Sequence, residues 1–174
     1  LKTLYQGNPF QSLYLPYWTF DADADADYTA MGGRTRTEQY KDKEGNVQTR
    51  THTDWYHTHG HVQEHFDDIL EKAVNTENAA FLSQIEPYDM GRLVSYAPEY
   101  LSGCMSQCYN VDLEKASNSA RDDMEQRLRS LASDDVLSRY DSVKDVRLHS
   151  RYRNESYKHI LVPVYSTSYY YEGK

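Results

Sequence analysis

At 174 residues the chain has room for about one ordinary domain; its 31 Leu, Ile, Val and Phe residues and net charge of −8 would by themselves place it on the disordered side of composition. Seventeen tyrosines bring the large apolar-bodied residues to 48, enough for a thin folded core whose sheet faces stay half exposed. Eight glycines, five prolines and two cysteines exclude collagen and disulfide scaffolds, and an isoelectric point near 5.3 argues against a general binder of nucleic acid or anionic membrane.

From Leu13 to Tyr28 the side chains alternate, with Tyr14, Pro16, Trp18, Phe20, Ala22, Ala24, Ala26 and Tyr28 on one face. Leu13, Leu15, Tyr17, Thr19, Asp21, Asp23, Asp25 and Asp27 fall on the other. That is strand periodicity, and at this length it predicts a bend or bulge, with Pro16 demoting the start to an edge or bulge. Gly32-Gly33 predicts a turn, so that an antiparallel hairpin would bring Arg34 and Arg36 beside Asp27 and Asp25. A second turn is expected at Asp42-Lys43-Glu44-Gly45-Asn46, returning the chain through Val47 to His59. Residues 61–73 fit either a strand or a helix; the reading taken is strand first, then a helical turn after Asp67. A short helix is expected at 77–85, stopped by Pro87, and residues 87–110 are turn-rich. The clearest helix spans 112–132, capped by Asp112, with Leu113, Ala116, Ala120, Met124, Leu128 and Leu131 as its apolar stripe. Two strands, 143–153 and 156–171, are expected to close the chain. Leu15-Pro16-Tyr17-Trp18-Thr19 and Val162-Pro163-Val164-Tyr165-Ser166 echo one another, which suggests neighbouring strands in one sheet.

The start at Leu1 and the Glu172-Gly173-Lys174 end read as an excised fragment with a further strand to follow. No apolar run approaches the ~20 residues of a membrane helix, and no secretory signal is visible, so a cytoplasmic location is expected.

Four runs carry a family resemblance: Tyr14-Leu15-Pro16-Tyr17-Trp18-Thr19-Phe20-Asp21-Ala22-Asp23, Phe66-Asp67-Asp68-Ile69-Leu70, Tyr100-Leu101-Ser102-Gly103 and Tyr157-Lys158-His159-Ile160-Leu161-Val162-Pro163-Val164. In this order they resemble uncharacterised bacterial proteins with an amino-terminal zinc ribbon, often labelled primosomal protein N′-like or DNA helicase. The resemblance implies a zinc ribbon before Leu1 and supplies no catalytic residues. A helicase motor needs a Gly-rich loop with Lys-Ser/Thr to hold phosphate and magnesium. The Gly-Gly pair here leads into Arg34-Thr35 instead, so this segment is not an ATPase motor.

Five of the seven histidines, His52, His57, His59, His61 and His65, lie within fourteen residues. On a strand His57, His59 and His61 would share a face, and alternate histidines can share a zinc or copper ion, with His65 nearby. Gly60 would interrupt that strand, and the bland alternative is a solvated polar face. The four aspartates 21–27 lack the loop glycine and closing Glu of a calcium site, so a face paired with arginine is favoured over calcium. Cys104 and Cys108 have no second pair and read as ordinary thiols. Near the end, Tyr165, Tyr169 and Tyr171 with Tyr152 stand beside Arg151 and Arg153. Aromatics interleaved with arginines on a sheet suit single-stranded nucleic acid, the alternative being tyrosines packed under the 112–132 helix.

The expected architecture is therefore a single α+β domain over 1–174: a twisted antiparallel sheet of long strands with two or three helices on one side. The expected function is a non-catalytic binding or scaffolding module for a protein or nucleic-acid partner, without a cofactor of its own. A zinc-dependent histidine site, hydrolytic in character, is the competing expectation. Long polar strand edges also allow pairing between copies of the chain.

Overall fold

The computed structural model describes residues 11–75, 86 and 88–166. The elements are β1 (Gln11–Lys41), β2 (Val47–Lys72), the two-residue β3 (Met105–Ser106), the helix α1 (Leu113–Leu137) and β4 (Ser142–Ser166), with 3-10 turns at Met90–Arg92 and Pro98–Leu101. The sheet order is β2-β1-β3, and β4 also pairs with β1. The β1–β2 ladder is antiparallel: Asp27 faces His61 and Asp23 faces His65, so one strand's number falls as the other's rises. β3 runs parallel to β1, Leu13 opposite Met105 and Tyr14 opposite Ser106. The α+β class is as expected, but the sheet is mixed, and the described residues contain one α-helix where two or three were expected. The helix predicted at 77–85 lies outside the described residues, as do Tyr169 and Tyr171.

Tertiary contacts divide the chain into two compact units. The first is built from the described residues of 1–20, 68–120 and 156–174; the second is Asp21–Asp67 with Arg121–Glu155.

In the first unit, residues 15–20 of β1 are buried on both faces, which suits a run with no charge in it. Leu15, Tyr17, Ile160 and Val162 form one cluster, so the two echoing segments do lie together in one core. Pro16 is not on an edge: its side chain is fully buried in a strand that has partners, and its carbonyl accepts the Ala73 N–H at 3.1 Å. β3 pairs with β1 at Leu13 and Tyr14, ahead of Pro16. Trp18 donates its indole N–H to the Val111 carbonyl at 3.0 Å, fastening the irregular segment before α1 to β1.

In the second unit the alternation of β1 is realised: Ala22, Ala24, Ala26, Tyr28 and Ala30 are buried, and the aspartates turn the other way. Tyr28, Ala30, Ala132 and Val136 make the core here, small residues on both sides letting helix and strand approach closely. Across the length of α1 the buried positions are Ala116, Ala120, Met124, Leu128, Ala132 and Val136, steps of four that continue past the predicted end at 132. Asp112 caps it as expected, accepting the Lys115 N–H at 2.8 Å.

Four predicted breaks are absent. Gly32-Gly33 is not a turn; β1 runs through it, and the glycines make room for the Tyr140 ring and for Ser142 and Thr53. β2 continues through Gly60 and past Asp67 to Lys72 with no helical turn, and the last two predicted strands are one strand, β4. The irregularities fall instead at single residues with left-handed backbone, Asp68, Asp145 and Asn154 (φ 55°, 55° and 54°), residue types that tolerate it. The turn at Asp42–Asn46 is where expected: Asp42 Oδ1 accepts the N–H of Glu44 and of Asn46, each at 2.9 Å, and Gly45 takes φ 87°. Among the described residues no helix is long and apolar enough to cross a membrane.

Candidate functional site

The two residue sets singled out in the sequence, histidines on β2 and arginines on β4, converge on the aspartate face of β1 in the second unit. His61 Nδ1 lies 2.8 Å from Asp27 Oδ1 and His65 Nδ1 2.6 Å from Asp23 Oδ1. From the other side Arg151 donates to Asp25 Oδ2 at 2.5 Å and to Asp27 Oδ2 at 2.8 Å. Arg153 stands 2.8 Å from Asp25 Oδ1, and Asn154 donates to Asp23 Oδ2 at 2.7 Å. The aspartates are thus paired with β2 and β4, not with Arg34 and Arg36 as a hairpin would require; Arg36 pairs with Asp54 at 2.9 Å.

The electrostatics follow from these partners. Hydrogen bonds from Asn154 and His65 hold the Asp23 carboxyl below its ordinary 3.8, and those from His61 and Arg151 do the same for Asp27. The Asp23 carboxylate holds the His65 imidazole above its ordinary 6.5. Asp23 therefore contributes stability above pH 3.8 and loses it as pH falls through its lowered value. His65 contributes fully below pH 6.5 and loses it as pH rises through its raised value. The pair is complete between those limits. Proton NMR titration is expected to place His65 above 6.5, and Asp23→Asn to bring it down to the ordinary range; an unchanged His65 midpoint in that variant would refute the pairing.

Tyr152 does not stand with its arginine neighbours. One position along a strand reverses the face, so its phenol donates to Glu125 at 3.2 Å and its ring lies under Arg121, 5.1 Å away. Burial and the Glu125 carboxylate push that phenol up to about 12. Tyr165, on β4 in the first unit, is exposed. His57 and His59 are exposed on β2, on the same face as His61 and His65. Cys104 and Cys108 are free thiols.

Two concave surfaces were not foreseen. In the second unit Arg34, Arg36, Arg139, Tyr56 and Tyr140 line a pocket of about 630 Å³. Tyr56 stacks on Tyr140 at 6.4 Å, and the Arg34 guanidinium lies 5.5 Å from the Tyr140 ring centroid. Arginine and tyrosine are thus brought together, though from three chain segments rather than one strand.

In the first unit a groove of about 1120 Å³ is walled by residues 88–101 on one side and 158–163 on the other. Met90, Leu93, Val94, Leu101, Ile160 and Val162 supply apolar lining, with phenols from Tyr14, Tyr88, Tyr96 and Tyr100. Val94 and Tyr96 are 69% and 65% exposed, so this lining faces solvent rather than a core. The Tyr17 and Tyr88 hydroxyls meet at 3.2 Å, and burial raises both phenols above their ordinary value. His159 also lines the groove and lies against Trp18, ring centroids 4.6 Å apart; burial holds its imidazole below 6.5. The available sequence signal was the apolar content of residues 90–101, which has neither helical nor strand periodicity and lies in a turn-rich stretch. Apolar residues in such a segment have no regular face to bury.

The chain is 26% identical over 162 residues to the uncharacterized protein YdjG of Bacillus subtilis (strain 168), a match covering 92% of this chain and 45% of that protein. It thus spans about half the length of this relative. No protein-family model matches the chain, and no solved structure matches it.

Proposed function

We propose that this chain is a non-catalytic binding module whose first unit holds an extended apolar segment of a protein partner. The observation that carries this is the groove of about 1120 Å³ lined by exposed Leu93, Val94, Tyr96 and Tyr100. Its volume exceeds the 300–1,000 Å³ of small-molecule sites, and its tyrosine, methionine and arginine content is that of protein interfaces. The titratable groups gathered on β1 support the non-catalytic half, since Asp23, Asp25 and Asp27 are paired with neighbours in a continuous ladder. The resemblance of four runs to zinc-ribbon proteins extends the same proposal: the module works beside a zinc ribbon in a longer chain. A second reading, single-stranded nucleic acid, is favoured by the Arg34–Tyr140–Tyr56 pocket, where rings could stack bases and Arg34 and Arg139 meet phosphate.

Two assays separate these readings. Random peptides displayed on phage and enriched on the wild-type chain should be rich in apolar and aromatic residues. They should lose at least tenfold in affinity for the Val94→Asp, Tyr96→Ala double variant, both sites being exposed enough to spare the fold. Enriched peptides that bind this variant equally well, or no enrichment, would overturn the groove reading. Saturable binding of labelled oligo(dT) at low salt, lost in Arg34→Ala, would put the nucleic-acid pocket in its place.

A further inference from the structure

We infer that the exposed face of β2 binds a zinc or copper ion through Nε2 of His59 and His61, with Asp27 as the positioning residue. The strand carries no left-handed residue before Asp68 and runs unbroken through Gly60, so His57, His59, His61 and His65 project from one face. Alternate residues of a strand stand about 6.6 Å apart, within reach of two imidazoles converging on one ion at metal–nitrogen distances near 2.0–2.1 Å.

The distinguishing feature is the partner behind His61. Its Nδ1 is 2.8 Å from Asp27 Oδ1, which places a proton on Nδ1 and leaves Nε2 of the neutral imidazole with the lone pair. That is the arrangement in which a carboxylate orients a metal-ligating histidine. Asp27 is itself held by Arg151 at 2.8 Å, so the orienting carboxylate is fixed in turn. His59 makes no hydrogen bond or ion pair among the described residues, so binding displaces no internal partner. His65 has the same carboxylate support from Asp23, at 2.6 Å, but four residues along the strand it is too far to share an ion with His61. Imidazole nitrogens select borderline transition ions over calcium and magnesium, and two protein ligands leave the remaining positions to water.

Calorimetric titration of the tag-free chain with zinc chloride is expected to show one saturable site per chain, and calcium chloride none. His59→Ala and His61→Ala, at exposed positions, should each weaken zinc at least about tenfold, and His52→Ala should leave it unchanged. Asp27→Asn should cost roughly ten- to a hundredfold. It should also alter the tautomer of His61 seen in long-range proton–nitrogen NMR, a signature that loss of packing would not give. Absence of saturable zinc binding, or full binding by the His59→Ala, His61→Ala double variant, would overturn the assignment.

Discussion

Replacing Leu128 by alanine is expected to lower the stability of the folded chain by about 2–5 kcal/mol, the range for a buried leucine whose cavity does not collapse. Leu128 is completely buried, near the middle of the stripe on α1. Its neighbours on that stripe, Met124 and Ala132, are 3% and 0% exposed, so the site is closed off from solvent along the helix. With so few aliphatic residues in the chain, one leucine is a large share of the apolar packing. Equilibrium urea denaturation followed by circular dichroism measures the loss as a lower midpoint at unchanged slope. A loss within 0.5 kcal/mol would show that α1 contributes little to the folded core. Leu131, predicted as part of the same stripe, is only half-buried and should cost clearly less on the same substitution.

Gly60→Ala is expected to cost about 1–3 kcal/mol, the range for forcing extra volume into a packed site. A Cβ at Gly60 would lie 2.6 Å from Cε1 and from the hydroxyl of Tyr28. The ring cannot yield easily. Tyr28 is 2% exposed, its hydroxyl donates to Asp135, and Arg139 donates to that hydroxyl at 2.9 Å. Burial first, and the Asp135 carboxylate second, push the Tyr28 phenol up to about 12. The variant should therefore give two signals: a lower urea midpoint, and a Tyr28 ring resonance that titrates closer to 10 once the hydroxyl has moved from its partners. Wild-type stability in Gly60→Ala would mean that β2 and Tyr28 do not approach as closely as the structure has them.

Gly60 also shows why the sequence misled at three places. Read along the chain, a glycine between histidines, a Gly-Gly pair and the stretch between the strands expected at 143–153 and 156–171 all look like punctuation. Each instead lies within a continuous strand. Gly32, Gly33 and Gly60 are small because side chains from other strands and from the turn after α1 press against them, and Asn154 takes the left-handed backbone its residue type tolerates. A need for space and a need for a turn leave the same letter in the sequence.

The histidine and arginine sets show the complementary case. Both were recognisable as clusters, and the aspartate alternation was recognisable as one face of a strand. Their mutual pairing was not, because Arg151 is 126 positions from Asp25, and Asn154 is 131 from Asp23. The hairpin assumption assigned the aspartates to the nearest arginines instead. Tyr152 was placed with Arg151 and Arg153 by proximity in sequence, although strand alternation puts it on the opposite face, against Glu125 and Arg121.

The sequence by itself determined what is local: the alternating faces of β1, the Asp42–Asn46 turn, and α1 with its Asp112 cap and the Ala116–Leu128 part of its stripe. Periodicity, capping and turn chemistry act over a few residues and need no partner to be legible. Only the tertiary structure decided which strand lies beside which, hence that His61 and Arg151 share Asp27 and that residues 88–101 wall a groove with the end of β4. Those contacts depend on register between segments far apart in the chain, and a polar, tyrosine-rich strand with two serviceable faces permits several registers until packing of the core selects one.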